Sequence, residues 1–194
     1  MNVLDPLELK YRNVCDIGLI SEKKIDTNLL ELSCLIGEFS DVYSVAKNNK
    51  ELAALDFSSY GKRKLKKLDI ELINKVIDFG NYKGVEMLHN KQTGGMYLKT
   101  IFFLPHNYNN ALKLMKLLWV PTHTISIINH KILIGLLLGY TPDNIIYYLD
   151  KNYNIKLTSE DIKKADTILN NINVSYEDLQ KSINVVYSTS IKRL

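Results

Sequence analysis

"VEMLHNKQTGGMYLKTIFFL", residues 85–104, decides the fold class, because here the apolar residues abandon the three-and-four spacing of a helix. Two short runs rich in apolar and β-branched residues, "VEMLHN" and "MYLKTIFFL", flank "KQTGG", a loop of turn formers. That arrangement is the signature of an antiparallel β-hairpin. Pro105 ends it, since a proline has no amide to give to a ladder. The expected fold is α+β and helix-rich, with amino-terminal helices, one small antiparallel hairpin and a helical carboxy-terminal half.

Upstream of the hairpin, "IDTNLLELSCLIGEFSDVYSVAKNN" reads as a helix that Asp26 or Thr27 caps. Leu29, Leu32, Ile36, Phe39, Tyr43 and Ala46 line one face of it, and that face should be buried. A more polar connection follows, holding "SSYGKRKLKK". Then "DIELINKVIDFG" predicts a second, shorter helix, capped by Asp69 and ended by Gly80.

Downstream, "NYNNALKLMKLLW" returns to helical spacing, with Ala111, Leu114, Met115 and Leu118 on one side. Further helices are expected near residues 124–138, 142–151, 159–171 and 175–186. Thr141, Ser159 and Ser175 are the expected caps, Pro142 takes a first helical position, and Ser175 with Asp178 approximates a capping box. No repeat or long linker divides the 194 residues, so a single domain is expected, with a soft boundary near residue 120 as the alternative.

The stretch "HKILIGLLLGYTPDNIIYYL", residues 130–149, admits three readings. A membrane span needs about 20 apolar residues in a row. Here the uncharged run is only "ILIGLLLGY", bounded by Lys131 and the Thr141-Pro142-Asp143 break, so a span is excluded. A DNA-reading helix-turn-helix fits the outline, two helices joined at Gly139. Its second helix, however, offers Ile145, Ile146, Tyr147, Tyr148 and Leu149 and starts with an acid that phosphates would repel. A helical hairpin that belongs to the core is therefore expected. In its pattern His-x4-Gly-x-Leu-Leu-Gly-Tyr followed by a short amphipathic helix, this stretch resembles segments of small uncharacterised proteins from tailed bacteriophages and large DNA viruses. The resemblance covers about twenty residues of the chain and implies a viral or phage source, with no activity attached.

Composition narrows the class. The hydrophobic fraction of 46% is ample for a packed interior, and charged residues, 24% of the chain, are mixed in sign. The net charge of +4 comes from one local run, "KRKLKK" at 62–67, without which the chain is close to neutral. Cys15 and Cys34 have neither zinc-ligand spacing nor the density of a secreted disulfide scaffold, so free thiols in a reducing compartment are expected. The first residues, "MNVLDPLELKYRN", carry acids and a proline where a signal peptide needs a basic start and an unbroken apolar stretch. A cytoplasmic location is expected, that of the host if the source is viral.

Candidate chemistry is sparse. His89, His106, His123 and His130 form no HExxH pair, and His123 and His130, seven residues apart, lie too far apart to share one ion. No metal and no cofactor is expected. In the hairpin, His89, Lys91, Gly94, Gly95 and Lys99, with Thr93 and Thr100, put turn amides among cations. That suits an anion or nucleotide, although "QTGG" has neither Walker nor Rossmann spacing and precedes a strand. "DFG" at 78–80 lacks every other kinase motif and reads as a helix end. Lys62, Arg63, Lys64, Lys66 and Lys67 are the candidates for phosphate contact, and a solvated surface is their plain alternative.

Weighed together, these readings favour a non-enzymatic interaction or accessory protein that binds another protein or its own copy. Trp119, Tyr140, Tyr147 and Tyr148 are its candidate aromatic anchors. A nucleic-acid-binding protein using residues 62–67 is the first alternative. A small enzyme or nucleotide-binding domain with a site near 85–104 is the second. No membrane partner is expected.

Overall fold

The computed structural model describes residues 41–56, 67–90, 99–119 and 125–191. In chain order the elements are α1 (41–46), β1 (Leu52–Asp56), α2 (Lys67–Tyr82), β2 (Glu86–Asn90) and β3 (Lys99–Phe103), then a single 3-10 turn (Pro105–Asn107). After it come α3 (Tyr108–Trp119), α4 (Ile127–Leu137), α5 (Pro142–Tyr153), α6 (Ser159–Asn170), α7 (Tyr176–Ile183) and β4 (Val185–Ser188). The chain is α+β and helix-rich, and no helix among the described residues is long and apolar enough to cross a membrane.

The expected hairpin exists as β2 and β3, with Leu88 opposite Ile101 and Met87 opposite Phe102. It is not a free-standing hairpin but the centre of a four-stranded antiparallel sheet, ordered β1-β3-β2-β4. Side chains alternate across a strand, and here both faces are apolar. Leu52, Leu88, Ile101, Phe103 and Val185 face the core built by α3 to α7. Ala53, Leu55 and Phe102 face the other way, into a second cluster with Val42, Val45 and Ala46 of α1 and Val76, Ile77 and Phe79 of α2. The sheet is thus the middle of three layers. The first cluster draws on residues from Leu52 to Val185, on both sides of position 120.

Several expectations need correction. β1 falls where a polar connection was expected. Its sequence, LAALD, opens with four good helix formers, but both of its faces are buried and its backbone pairs with β3, so tertiary pairing overrides propensity. The helix expected at 175–186 stops at Ile183. Asn184 takes the left-handed conformation, φ 51°, and the β-branched pair Val185-Val186 then starts β4. α2 does not end at Gly80 but runs through it to Tyr82, so "DFG" lies inside the helix. A glycine within a helix costs about 1 kcal/mol, and packing does not demand it here: a Cβ would meet Ile191 Cδ1 at 3.5 Å, an ordinary van der Waals contact. α6 is capped by Thr158, one residue before Ser159, in a full capping box with Asp161. The helix expected at 124–138 starts at Ile127, after Ser126, whose hydroxyl accepts the Asn129 amide at 3.2 Å. Thr141 and Ser175 cap α5 and α7 as expected, and Pro142 opens α5. The buried face of α1 centres on Val42 and Val45 with Ala46, and Tyr43 lies at its flank; positions 26–40 of the expected face lie outside the described residues.

A few polar contacts fix the layers. Asn81, in the last turn of α2, accepts the Ile191 amide at 2.8 Å and donates to the Ile191 carbonyl at 2.9 Å, which ties the chain after β4 to the second core. Lys113 on α3 donates at 3.0 Å to the Leu169 carbonyl in the last turn of α6, which also accepts the Ile172 amide at 3.2 Å. His130 Nε2 lies 2.6 Å from the Leu117 carbonyl and so joins the start of α4 to the last turn of α3.

Candidate docking groove

The α4–α5 pair carries the site. α4, IINHKILIGLL, is apolar on nearly every side, as befits a helix packed from several directions. It ends in a Schellman turn: the Gly139 amide donates to the Leu136 carbonyl and the Tyr140 amide to the Gly135 carbonyl, both at 3.0 Å. Gly139 holds φ 79°, a conformation that costs any residue with a Cβ about 1–2 kcal/mol. The turn delivers the chain to Thr141, whose hydroxyl accepts the Asn144 amide at 3.3 Å and starts α5. Gly135 sets how closely the helices meet, since a Cβ there would lie 3.0 Å from Ile145 Cγ1.

Between the two helices lies a groove of about 580 Å³, a volume typical of ligand and peptide sites. Ile134, Leu138, Ile145 and Leu149 give it apolar walls, and Tyr140, Tyr147 and Tyr148 surround it. These tyrosines are 49%, 64% and 53% exposed, although helix neighbours could have covered them. Each has company at the rim. Lys50 Nζ, ion-paired to Asp41 at 2.7 Å, stands 5.5 Å from the Tyr140 ring centre. Lys151 Nζ stands 5.5 Å from that of Tyr147. Tyr148 packs edge-on to Tyr153, with ring centres 5.9 Å apart, and Lys131 Nζ sits over the Tyr153 ring at 3.9 Å. The Lys131 ammonium, and after it Tyr148, holds the Tyr153 phenol below its usual range. The neighbouring Tyr153 in turn pushes the Tyr148 phenol up. The arrangement offers apolar walls, aromatic faces and hydroxyls, with the ammoniums of Lys50, Lys131 and Lys151 beside the tyrosine rings.

The sequence candidates separate on this map. Tyr140, Tyr147 and Tyr148 come together at the groove. Trp119, named with them, does not: it ends α3 and packs, partly buried, against the first core. Lys62, Arg63, Lys64 and Lys66 lie outside the described residues, as do Lys91, Gly94 and Gly95. Lys67 opens α2 and Lys99 opens β3, in each case without a described side chain. His89 is placed on β2, partly buried and opposite Thr100 and Val186, while the other members of the expected hairpin site lie outside the described residues or lack a described side chain. Lys131, Tyr153 and the apolar walls were missed. Lys131 and Tyr153 are on different helices, and only the turn at Gly139 brings them together.

A second aromatic group lies at the far edge of the sheet. Tyr187 of β4 stacks near Phe103, with ring centres 6.5 Å apart, and meets Tyr108 edge-on at 5.5 Å. Partial burial, followed by the hydrogen bond to and charge of Glu86, pushes the Tyr187 phenol up to about 12. Among the described residues, no group of three or more His, Cys, Asp or Glu side chains is placed to hold a metal ion.

Comparison with protein-family models, with characterised proteins and with solved structures finds no match to this chain.

Proposed function

We propose that this chain is a protein-interaction or accessory protein of viral or phage origin, and that it docks a partner segment in the α4–α5 groove. One observation carries the reading: three tyrosines stand half-exposed around apolar walls, whereas the large side chains of a finished core are covered. Tyrosine gives much contact area for little lost rotamer freedom and keeps a hydroxyl for the rim, which is why it is common at binding hot spots.

The test is direct. A fluorescent helical peptide with a leucine stripe on an uncharged background is titrated into the full chain, and the binding surface is mapped by amide NMR shifts. Shifts confined to α4 and α5, with binding weakened at least about tenfold by Tyr147→Ala with Tyr148→Ala, are expected. Shifts that cluster elsewhere, or binding indifferent to the two tyrosines in a protein of unchanged circular dichroism, would sink the proposal.

A further inference from the structure

Resting on that reading of the groove, we infer that its occupant is an amphipathic helix of a partner protein whose apolar stripe is flanked by carboxylates. Two observations select it, one on charge and one on backbone chemistry. Lys131 is the one charged side chain among the residues lining the groove, and no carboxylate lines it. Among the described residues no carboxylate pairs with Lys131: its ammonium rests on the Tyr153 ring and bonds the Tyr153 phenol, which leaves two of its three N–H donors for an incoming anion. Lys151, beside Tyr147, adds a second cation at the rim. The acids of α5, Asp143 and Asp150, are seven residues apart, so they share a face. At 100° per residue, that face is turned more than a quarter-circle from Asn144 and Tyr148 but only about 40–60° from Tyr147, so the two acids stand beside the Tyr147 edge of the groove and away from its Tyr148 side. Lys50 is discounted because Asp41 already neutralises it.

The backbone argument separates a helix from an extended peptide. The groove walls are two α-helices whose amides and carbonyls bond within their own helix or turn, so they offer no ladder to an added strand. An extended peptide would bury unpaired backbone groups there. A helix arrives with its own backbone satisfied and presents side chains at i, i+3, i+4 and i+7 to Ile134, Leu138, Ile145 and Leu149. Carboxylates beside that stripe meet Lys131 and the hydroxyls of Tyr148 and Tyr153.

Three labelled peptides of about 16 residues, long enough to form helix on binding, test this on the full chain. They share one leucine stripe and carry glutamate, glutamine or lysine at its flanks. The glutamate peptide is expected to bind about tenfold tighter than the lysine peptide at low salt, with the gap narrowing as salt screens it. Lys131→Gln should weaken the glutamate peptide more than the glutamine one and so narrow the gap between them, Lys151 keeping the remainder. A lysine peptide that binds as tightly, or an order of affinities untouched by Lys131→Gln, overturns the acidic partner while groove docking stands. Failure of all three peptides on a folded chain overturns both. Light scattering covers the remaining occupant: a dimer that Tyr148→Ala dissociates puts a second copy in the groove, and overturns the partner helix.

Discussion

Gly135 shows how much one missing methyl controls. Alanine there gains about 1 kcal/mol of helix propensity, but its Cβ would lie 3.0 Å from Ile145 Cγ1 and 3.1 Å from Cδ1. Overpacking of this kind costs about 1–3 kcal/mol, so Gly135→Ala is expected to lower stability by about 1 kcal/mol in urea titration and to weaken peptide binding as Ile145 shifts into the groove. Tyr187 makes a second prediction, in alkali. Its folded pKa, about 12, lies above the ordinary 10.0, so the native state holds the proton longer than the unfolded chain does. Its contribution is complete below pH 10 and is lost as pH rises toward 12. Tyr187→Phe should flatten that part of the stability profile and remove the latest step from the phenolate absorbance titration. At this scale the sequence was half legible. Residue type marked out Tyr140, Tyr147 and Tyr148, yet type alone also nominated Trp119, which the core uses, and it was silent on Lys131 and Tyr153, whose meeting depends on how two helices cross.

At the scale of elements, termini were more legible than strands. Thr141, Pro142 and Ser175 work as their chemistry demands, because a cap is a local event between residues three apart. Thr158 supplies the sharpest test. Its hydroxyl accepts the Asp161 amide at 3.3 Å, and Asp161 Oδ2 accepts from the Thr158 amide at 2.8 Å and from its hydroxyl at 2.7 Å. Thr158→Ala should cost about 1 kcal/mol, read as a drop in melting temperature. The hydrogen bonds from Thr158, the amide's first, hold the Asp161 carboxyl below 3.8, so the support it gives is present above that pH and fades as pH falls through the lowered value. The variant should therefore lose part of the wild type's acid sensitivity. β1 and β4 were illegible for the opposite reason. LAALD has apolar residues toward both faces, so no alternation marks it, and VVYS follows a helix with only Asn184 as the stop. Both are strands because of partners distant in sequence.

For the molecule as a whole, the decisive fact is that β3 is clad on both sides. Neighbouring phenylalanines serve different cores: Phe102 the α1–α2 side, Phe103 the α3–α7 side. Phe102→Ala and Phe103→Ala are each expected to cost about 3–5 kcal/mol in denaturant. If one of them proves nearly neutral, the three-layer arrangement is wrong on that side. The helix-rich α+β class was legible from the change of period at the hairpin, whereas the two-sided burial was not, since a five-residue strand does not reveal in sequence what packs over it. The strand order also sets a timetable for synthesis. β2 meets β3 after one short loop, but its other neighbour pairs Met87 with Ser188, roughly a hundred residues later. While a ribosome makes α3 to α7, one side of β2 has its amides and carbonyls open to any passing strand, a hazard in a crowded cell. The nascent chain is thus most in need of a chaperone during the interval between residues 90 and 185, after which β4 closes the edge from within.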